Sequence, residues 1–150
     1  MAATLTNILL HITFSTKNRL PTLPLDLLPE LFRYMGGVCR DMKSPLLHAG
    51  GTEDHVHLLV SLGKTLSAAD LLMHVKRASS IWIKQQRPGL AAFAWQDGYF
   101  AFSIGHDSTS ALRGYLDSQQ EHHRRLDFKQ EVLAFLKKYE IEYDPEYLWD

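Results

Sequence analysis

The stretch that most constrains this chain is Asp54-His55-Val56-His57-Leu58-Leu59-Val60. Its run of apolar residues reads as a β-strand, and strand side chains alternate faces with period two. His55 and His57 therefore share one face, while Val56, Leu58 and Val60 share the other. Two imidazoles about 7 Å apart along one strand face can converge on a metal ion or a phosphate. Burying both without partners is costly, so the histidine face is expected to line a cleft. The bland alternative is a solvated pair with no function, and the rest of the chain decides between them.

At 150 residues the chain is expected to form one domain, with a core over about 6–125 and a helical tail over 126–150. Its single cysteine, Cys39, excludes an intrachain disulfide and any CxxC zinc pair. The first residues lack the basic and long apolar regions of a signal peptide, and no apolar run reaches the ~18 residues of a membrane span. A cytoplasmic protein with no membrane partner is the expectation. Net charge is −1, but it is unevenly spread. Residues 1–125 hold 13 Lys and Arg against 10 Asp and Glu, whereas residues 126–150 hold 3 against 7. The acidic tail masks a mildly basic body, compatible with phosphate contact.

Residues 6–16 read as a first strand, and Lys17-Asn18-Arg19-Leu20-Pro21 breaks it. Helical spacing runs through Leu27, Leu28, Leu31, Phe32 and Met35 over residues 25–42. Gly36-Gly37 weakens that helix by about 1 kcal/mol per glycine and predicts a bend or an early end. A short strand over 46–51 and the histidine strand over 54–61 follow. Ser67 is placed to cap a helix reaching Gln86, with Leu71, Leu72, Val75, Ala78, Ser79 and Trp82 on its inner stripe. Pro88-Gly89 stops it. Strand-like pieces at 93–96 and 98–104 come next, then helices over 109–124 and 128–139 and an irregular tail. The order β-α-β-β-α-β followed by helices predicts an α+β, ferredoxin-like antiparallel sheet with helices on one face and an added C-terminal helix.

That added helix carries chemistry. Leu112, Tyr115, Leu116 and Gln119 fall at i, i+3, i+4, i+7, so a phenol hydroxyl and an amide oxygen can reach one point. Tyrosine is able to form covalent intermediates, but with a pKa near 10 it needs activation. A divalent cation held by His55, His57 and the Gln119 amide oxygen would polarise a phosphodiester beside Tyr115. Two nitrogens and an oxygen in an open site suit Mg²⁺ or Mn²⁺. Structural zinc fits less well, with no cysteine near to complete a tetrahedron.

Phe14-Ser-Thr-Lys17-Asn-Arg19, Asp54-His-Val-His57-Leu-Leu-Val, Val75-Lys76-Arg77-Ala-Ser79-Ser80, Trp95-Gln96-Asp97-Gly98-Tyr99-Phe100 and Tyr115-Leu-Asp-Ser-Gln119 occur in this order and spacing. Together they resemble the single-tyrosine HUH transposases, the IS200-like and REP-associated tyrosine transposases, over about residues 8–125. The resemblance implies a metal-dependent endonuclease and strand transferase acting on single-stranded DNA with hairpins. It implies that Tyr115 attacks the phosphodiester and keeps a 5′-phosphotyrosine, and that His55, His57 and Gln119 bind Mg²⁺ or Mn²⁺. It also implies a homodimer in which the tyrosine helix can complete the partner's site. The alternative function is a hairpin DNA-binding protein of REP type that has lost catalysis.

Lys17, Arg19, Lys76 and Arg77 are candidate DNA-phosphate contacts, and Trp95, Tyr99 and Phe100 candidates for base stacking or core. Asp54 could orient an imidazole or simply form the turn. His122 and His123 lie one turn beyond Gln119, while His11, His48, His74 and His106 read as structural. A histidine-triad hydrolase needs a third alternating histidine, where this chain has Leu59. Relaxases place the tyrosine before the histidine pair, not after it.

Overall fold

A computed structural model describes residues 2–150. Four strands, β1 (Leu9–Ser15), β2 (Leu46–Gly51), β3 (His55–Ser61) and β4 (Phe100–Ile104), form one antiparallel sheet in the order β2-β3-β1-β4. This is the expected ferredoxin-like α+β order. In register, Phe14 faces Val56, Ile12 faces Leu58 and Leu10 faces Val60. Those side chains form the floor of the main core. Helices α1 (Leu28–Asp41) and α2 (Ala68–Gln86) cover it with Leu31, Met35, Cys39, Leu71, Leu72 and Val75.

Helix α1 runs unbroken through Gly36-Gly37, against expectation. Leu28, Leu31, Met35 and Cys39 lie buried along one stripe. Burying a side chain of the Leu or Met kind stabilises by roughly 1.5–3 kcal/mol, which outweighs two glycines at about 1 kcal/mol each. Ser67 caps α2 as expected, its Oγ accepting from the Asp70 N–H at 3.0 Å. Residues 93–96 do not form a strand. An isolated bridge, Thr16 to Trp95, and a bond from the Ser15 N–H to Gln96 Oε1 at 2.8 Å tie them to the end of β1.

The opposite face of the sheet carries His11, Thr13, His55, His57 and Leu59. Three helices lie over it: α3 (Thr109–Asp117), α4 (Gln119–His123) and α5 (Phe128–Lys138). The expected helix over 109–124 is divided at Ser118, whose hydroxyl donates to the Gly114 carbonyl at 2.7 Å. Such a back-bond from serine bends helices. Helix α5 opens on a capping box between Asp127 and Gln130, and it docks through Phe128, Val132 and Leu136 onto Phe102. The tail is tied down too. Gly98 N and Gln96 Nε2 donate to the Asp150 carbonyl at 3.0 and 3.2 Å, and Trp149 packs against Phe100 and Phe128. No helix among the described residues is long and apolar enough to cross a membrane.

Strand β2 meets α3 backbone to backbone at Gly50. A Cβ there would lie 2.0 Å from the Leu116 carbonyl oxygen, so this position admits only glycine if α3 is to lie flush. Gly50→Val is expected to lift α3 while leaving the sheet folded. Hydrogen exchange should show α3 amides losing protection and β1 and β3 amides keeping theirs. Unchanged α3 protection would show that the close approach does not seat the helix.

Candidate active site

Period-two alternation in β3 aims His55 and His57 beneath α3, α4 and α5, and both are fully buried. Gln119 opens α4 with its Oε1 3.0 Å from His55 Nε2. Tyr115, one helical turn earlier on α3, sets its ring edge-on to His57 with centroids 5.8 Å apart. The bend at Ser118 thus leaves the two on the same side, as their spacing predicts. In this chain the tyrosine helix lies against its own histidines.

A fifth residue completes the cluster. Glu131 projects from α5 onto the pair, with one carboxylate oxygen against His57 Nε2 and the other 3.8 Å from His55 Nε2. His55, His57 and Glu131 place ligand atoms within 4.8 Å of one another, a group able to hold a metal ion. A sequence signal for Glu131 exists: it is a carboxylate on the buried stripe Phe128, Val132, Leu136 of an amphipathic helix. A charged group there needs a partner.

The protonation pattern tests whether a cation fits. Asp54, just ahead of the strand, accepts from His55 Nδ1 at 2.7 Å, with Thr52 Oγ 3.0 Å from the same nitrogen. With Nδ1 donating to Asp54, His55 turns its Nε2 toward the Gln119 oxygen, where that nitrogen is placed either to donate or to share a cation with the amide. His57 Nε2 and one Glu131 oxygen are buried against each other, whereas Gln119 Nε2 and the second Glu131 oxygen are buried with no aligned hydrogen-bond partner, a rare state for buried polar groups. Two imidazole nitrogens, an amide oxygen and a carboxylate form a donor set that fits a divalent cation.

Burial, opposed by Glu131, lowers the His57 pKa and keeps the ring neutral. Burial would raise Glu131, but the imidazoles of His57 and His55 override it and hold the carboxyl down to about 2. Asp54 likewise stays below its ordinary value: burial opposes this, and its bond to His55 prevails. Tyr115 is pushed well up, by burial first and then by the Glu131 charge. The phenol is therefore fully protonated in this arrangement. His123 joins from the far side, its Nε2 3.3 Å from Glu53 and 3.5 Å from Asp54, and the His122 ring lies 4.8 Å from Tyr115.

The four candidate DNA contacts lie apart from this cluster. Lys17 pairs with Asp97 at 3.3 Å, and Arg19 sits over the Trp149 ring. Lys76 is committed internally: its ammonium donates to the carbonyls of Gln96, Asp97 and Gly98 at 2.6–3.1 Å, and burial brings it down to about 8. Arg77 is exposed along a cavity of about 420 Å³ between α2 and residues 93–99, with Lys84 and Tyr99 also on its walls. Trp95 is core, its Nε1 donating to Ser79 Oγ at 3.0 Å.

The chain thus combines a ferredoxin-like sheet with two histidines, a tyrosine and a glutamine gathered beneath the helices of its second face. The family model "Transposase IS200 like" matches residues 4–119, and the chain belongs to this family of transposases. A protein assigned as a transposase from Deinococcus radiodurans R1 shares the fold at a TM-score of 0.61 and 17% identity, over 79% of this chain and 95% of that one. A REP-associated tyrosine transposase bound to a REP hairpin shares it at 0.56 and 16%, over 83% and 72%. No curated protein sequence matches.

If Glu131 is a cation ligand, Glu131→Gln should weaken Mg²⁺ binding in the absence of DNA by about tenfold or more, because it removes the only anionic donor. Isothermal titration measures this directly. Unchanged affinity would remove Glu131 from the ligand set.

Proposed function

We propose that this transposase is a single-tyrosine HUH enzyme that cleaves and rejoins single-stranded DNA at hairpin ends. The observation that carries this reading is the convergence of Tyr115, His55, His57 and Gln119 on one buried cluster of nitrogen and oxygen atoms. In this reading the Tyr115 oxygen attacks the scissile phosphorus and the bond from phosphorus to the 3′ oxygen breaks. The tyrosine keeps a 5′-phosphate and a free 3′-hydroxyl leaves. Attack by a 3′-hydroxyl on the phosphotyrosine reverses the step and joins strands. Mg²⁺ or Mn²⁺, held by His55, His57 and Gln119 once Glu131 has given way to the substrate, would neutralise charge developing on the phosphate.

The cluster is closed as it stands. His55 and His57 are 0% exposed, Gln119 1% and Glu131 2%, so no phosphodiester reaches them until α5 lifts. Glu131 holds the place of an anionic oxygen, and we infer that a phosphate oxygen of the substrate replaces it. Phosphate contacts along the DNA then fall to Lys17, Arg19 and Arg77, with Lys76 fixing the loop at 96–98. The hairpin preference rests on the resemblance and on the hairpin-bound relative. A homodimer belongs to the same reading.

The test uses single-stranded oligonucleotides covering palindromic DNA found beside the gene, with Mn²⁺. An adduct resistant to SDS should form. Tyr115→Phe should abolish it while hairpin binding stays largely intact, and EDTA should stop the wild type. An adduct that survives Tyr115→Phe removes the nucleophile assignment. No adduct under any condition, with hairpin binding retained, favours the non-catalytic hairpin binder. At saturating Mn²⁺, Glu131→Gln should form adduct at least as fast as wild type. A drop of about 10² would instead place the carboxylate in the reacting complex.

Docking of Tyr115 on its own chain's histidines generates one more expectation. A mixture of Tyr115→Phe and His57→Ala proteins with verified subunit exchange should recover no cleavage, because every site keeps one lesion. Recovery toward about half the wild-type sites in mixed dimers would show that the helix crosses to a partner.

A further inference from the structure

His11 lies in β1, in register with Leu59 on one side and Phe102 on the other. It is 2% exposed. Its Nε2 is 2.8 Å from His57 Nδ1, and the two rings stack at 5.0 Å with planes 25° apart. Phe135 stands edge-on to His11 at 5.0 Å and Phe102 lies at 6.0 Å. Among the described residues no other polar group bonds to His57 Nδ1.

A neutral imidazole carries one proton, so a ring that offers Nε2 to a cation must hold its proton on Nδ1. In a dry site that Nδ1–H needs an acceptor, and an unpaired one costs about 1–3 kcal/mol. Asp54 is that acceptor for His55. His57 has no carboxylate behind it and has His11 instead.

We propose that His11 is a positioning residue for the cation site, holding His57 in the Nδ1–H form so that its bare Nε2 faces Gln119 and Glu131. This rests on the cation reading above. A neutral imidazole suits the place better than a carboxylate because its bond can reverse. Without a cation, His57 Nε2–H donates toward Glu131, and His57 Nδ1 accepts from His11 Nε2–H. With a cation, His57 Nδ1–H donates to His11 Nε2, and the His11 proton sits on Nδ1. Each ring keeps one proton in both states, so the exchange neither creates nor releases charge.

The test uses the full chain without DNA. Two-bond ¹H–¹⁵N spectra of histidine-labelled protein, with and without Mg²⁺, report which nitrogen of His57 carries the proton. Paramagnetic resonance of free Mn²⁺ reports affinity. In the wild type with Mg²⁺, His57 should be Nδ1–H. His11→Phe keeps a ring but no acceptor, and it should weaken Mn²⁺ binding by about 10–100-fold and release His57 from the Nδ1–H form. His11→Gln offers both an acceptor and a donor and should restore most of the affinity.

A folded His11→Phe protein with wild-type affinity and unchanged His57 protonation overturns the proposal. So does wild-type His57 protonated on Nε2 in the presence of Mg²⁺, which needs no variant to fold. A wild type that binds no Mn²⁺ overturns the cation reading itself, and the wild-type titration alone reveals it.

Discussion

The strict alternation of β3 is the constraint on which the other features depend. Val56, Leu58 and Val60 belong to a continuous apolar floor under α1 and α2. That floor fixes the register, because a slip of one residue would drive the imidazoles into the core and the valines under α3. Once the floor is set, His55 and His57 have nowhere to point but the second face. That face is also buried, so each ring nitrogen must find a partner. Asp54, Thr52, His11, Gln119 and Glu131 all lie where they do as partners to two rings.

The second layer is held on less than the first. Helix α3 packs through Leu112 and Leu116 onto Leu9 and Leu59, with Gly50 removing the obstacle of a side chain. Helix α5 packs through Phe128, Val132 and Leu136 but also carries a buried carboxylate. Taking a carboxylate out of water costs several kcal/mol unless it is well paired. The imidazoles of His57 and His55 more than offset that cost and hold the carboxyl down to about 2, so the Glu131 charge itself helps to seat α5 on the histidine face.

Much of this was legible in the sequence. Period two identified the histidine face, and i, i+4 spacing joined Tyr115 to Gln119. Both are short-range regularities of one element, and tertiary packing preserved them. The glycines of α1 misled because local propensity is small beside the burial of a full helical stripe. Residues 93–96 misled because an apolar, aromatic run has the composition of a strand whether or not an edge is free to pair with it. His11 and Glu131 were missed for a different reason. Each lies far along the chain from the pair it serves, 46 positions for His11, and no local period connects them. Lys76 shows the converse: a helix cation beside Arg77 reads as a phosphate contact, and only the fold reveals three carbonyls around it.

The two orienting partners differ in kind, and the difference follows from where they sit. Asp54 is at the strand's mouth, 13% exposed and flanked by Thr52 and His123, where a carboxylate retains partial solvation. His11 sits inside the sheet between Phe102 and Phe135. A carboxylate there would be a second buried anion within reach of Glu131, and two anions flanking two neutral rings would leave one without compensation in the absence of a cation. A neutral ring with one donor and one acceptor satisfies His57 in either state, so the site can remain folded whether or not a cation is bound. In this geometry the asymmetry between an aspartate behind one histidine and a histidine behind the other is a consequence of burial, not a duplication of one role.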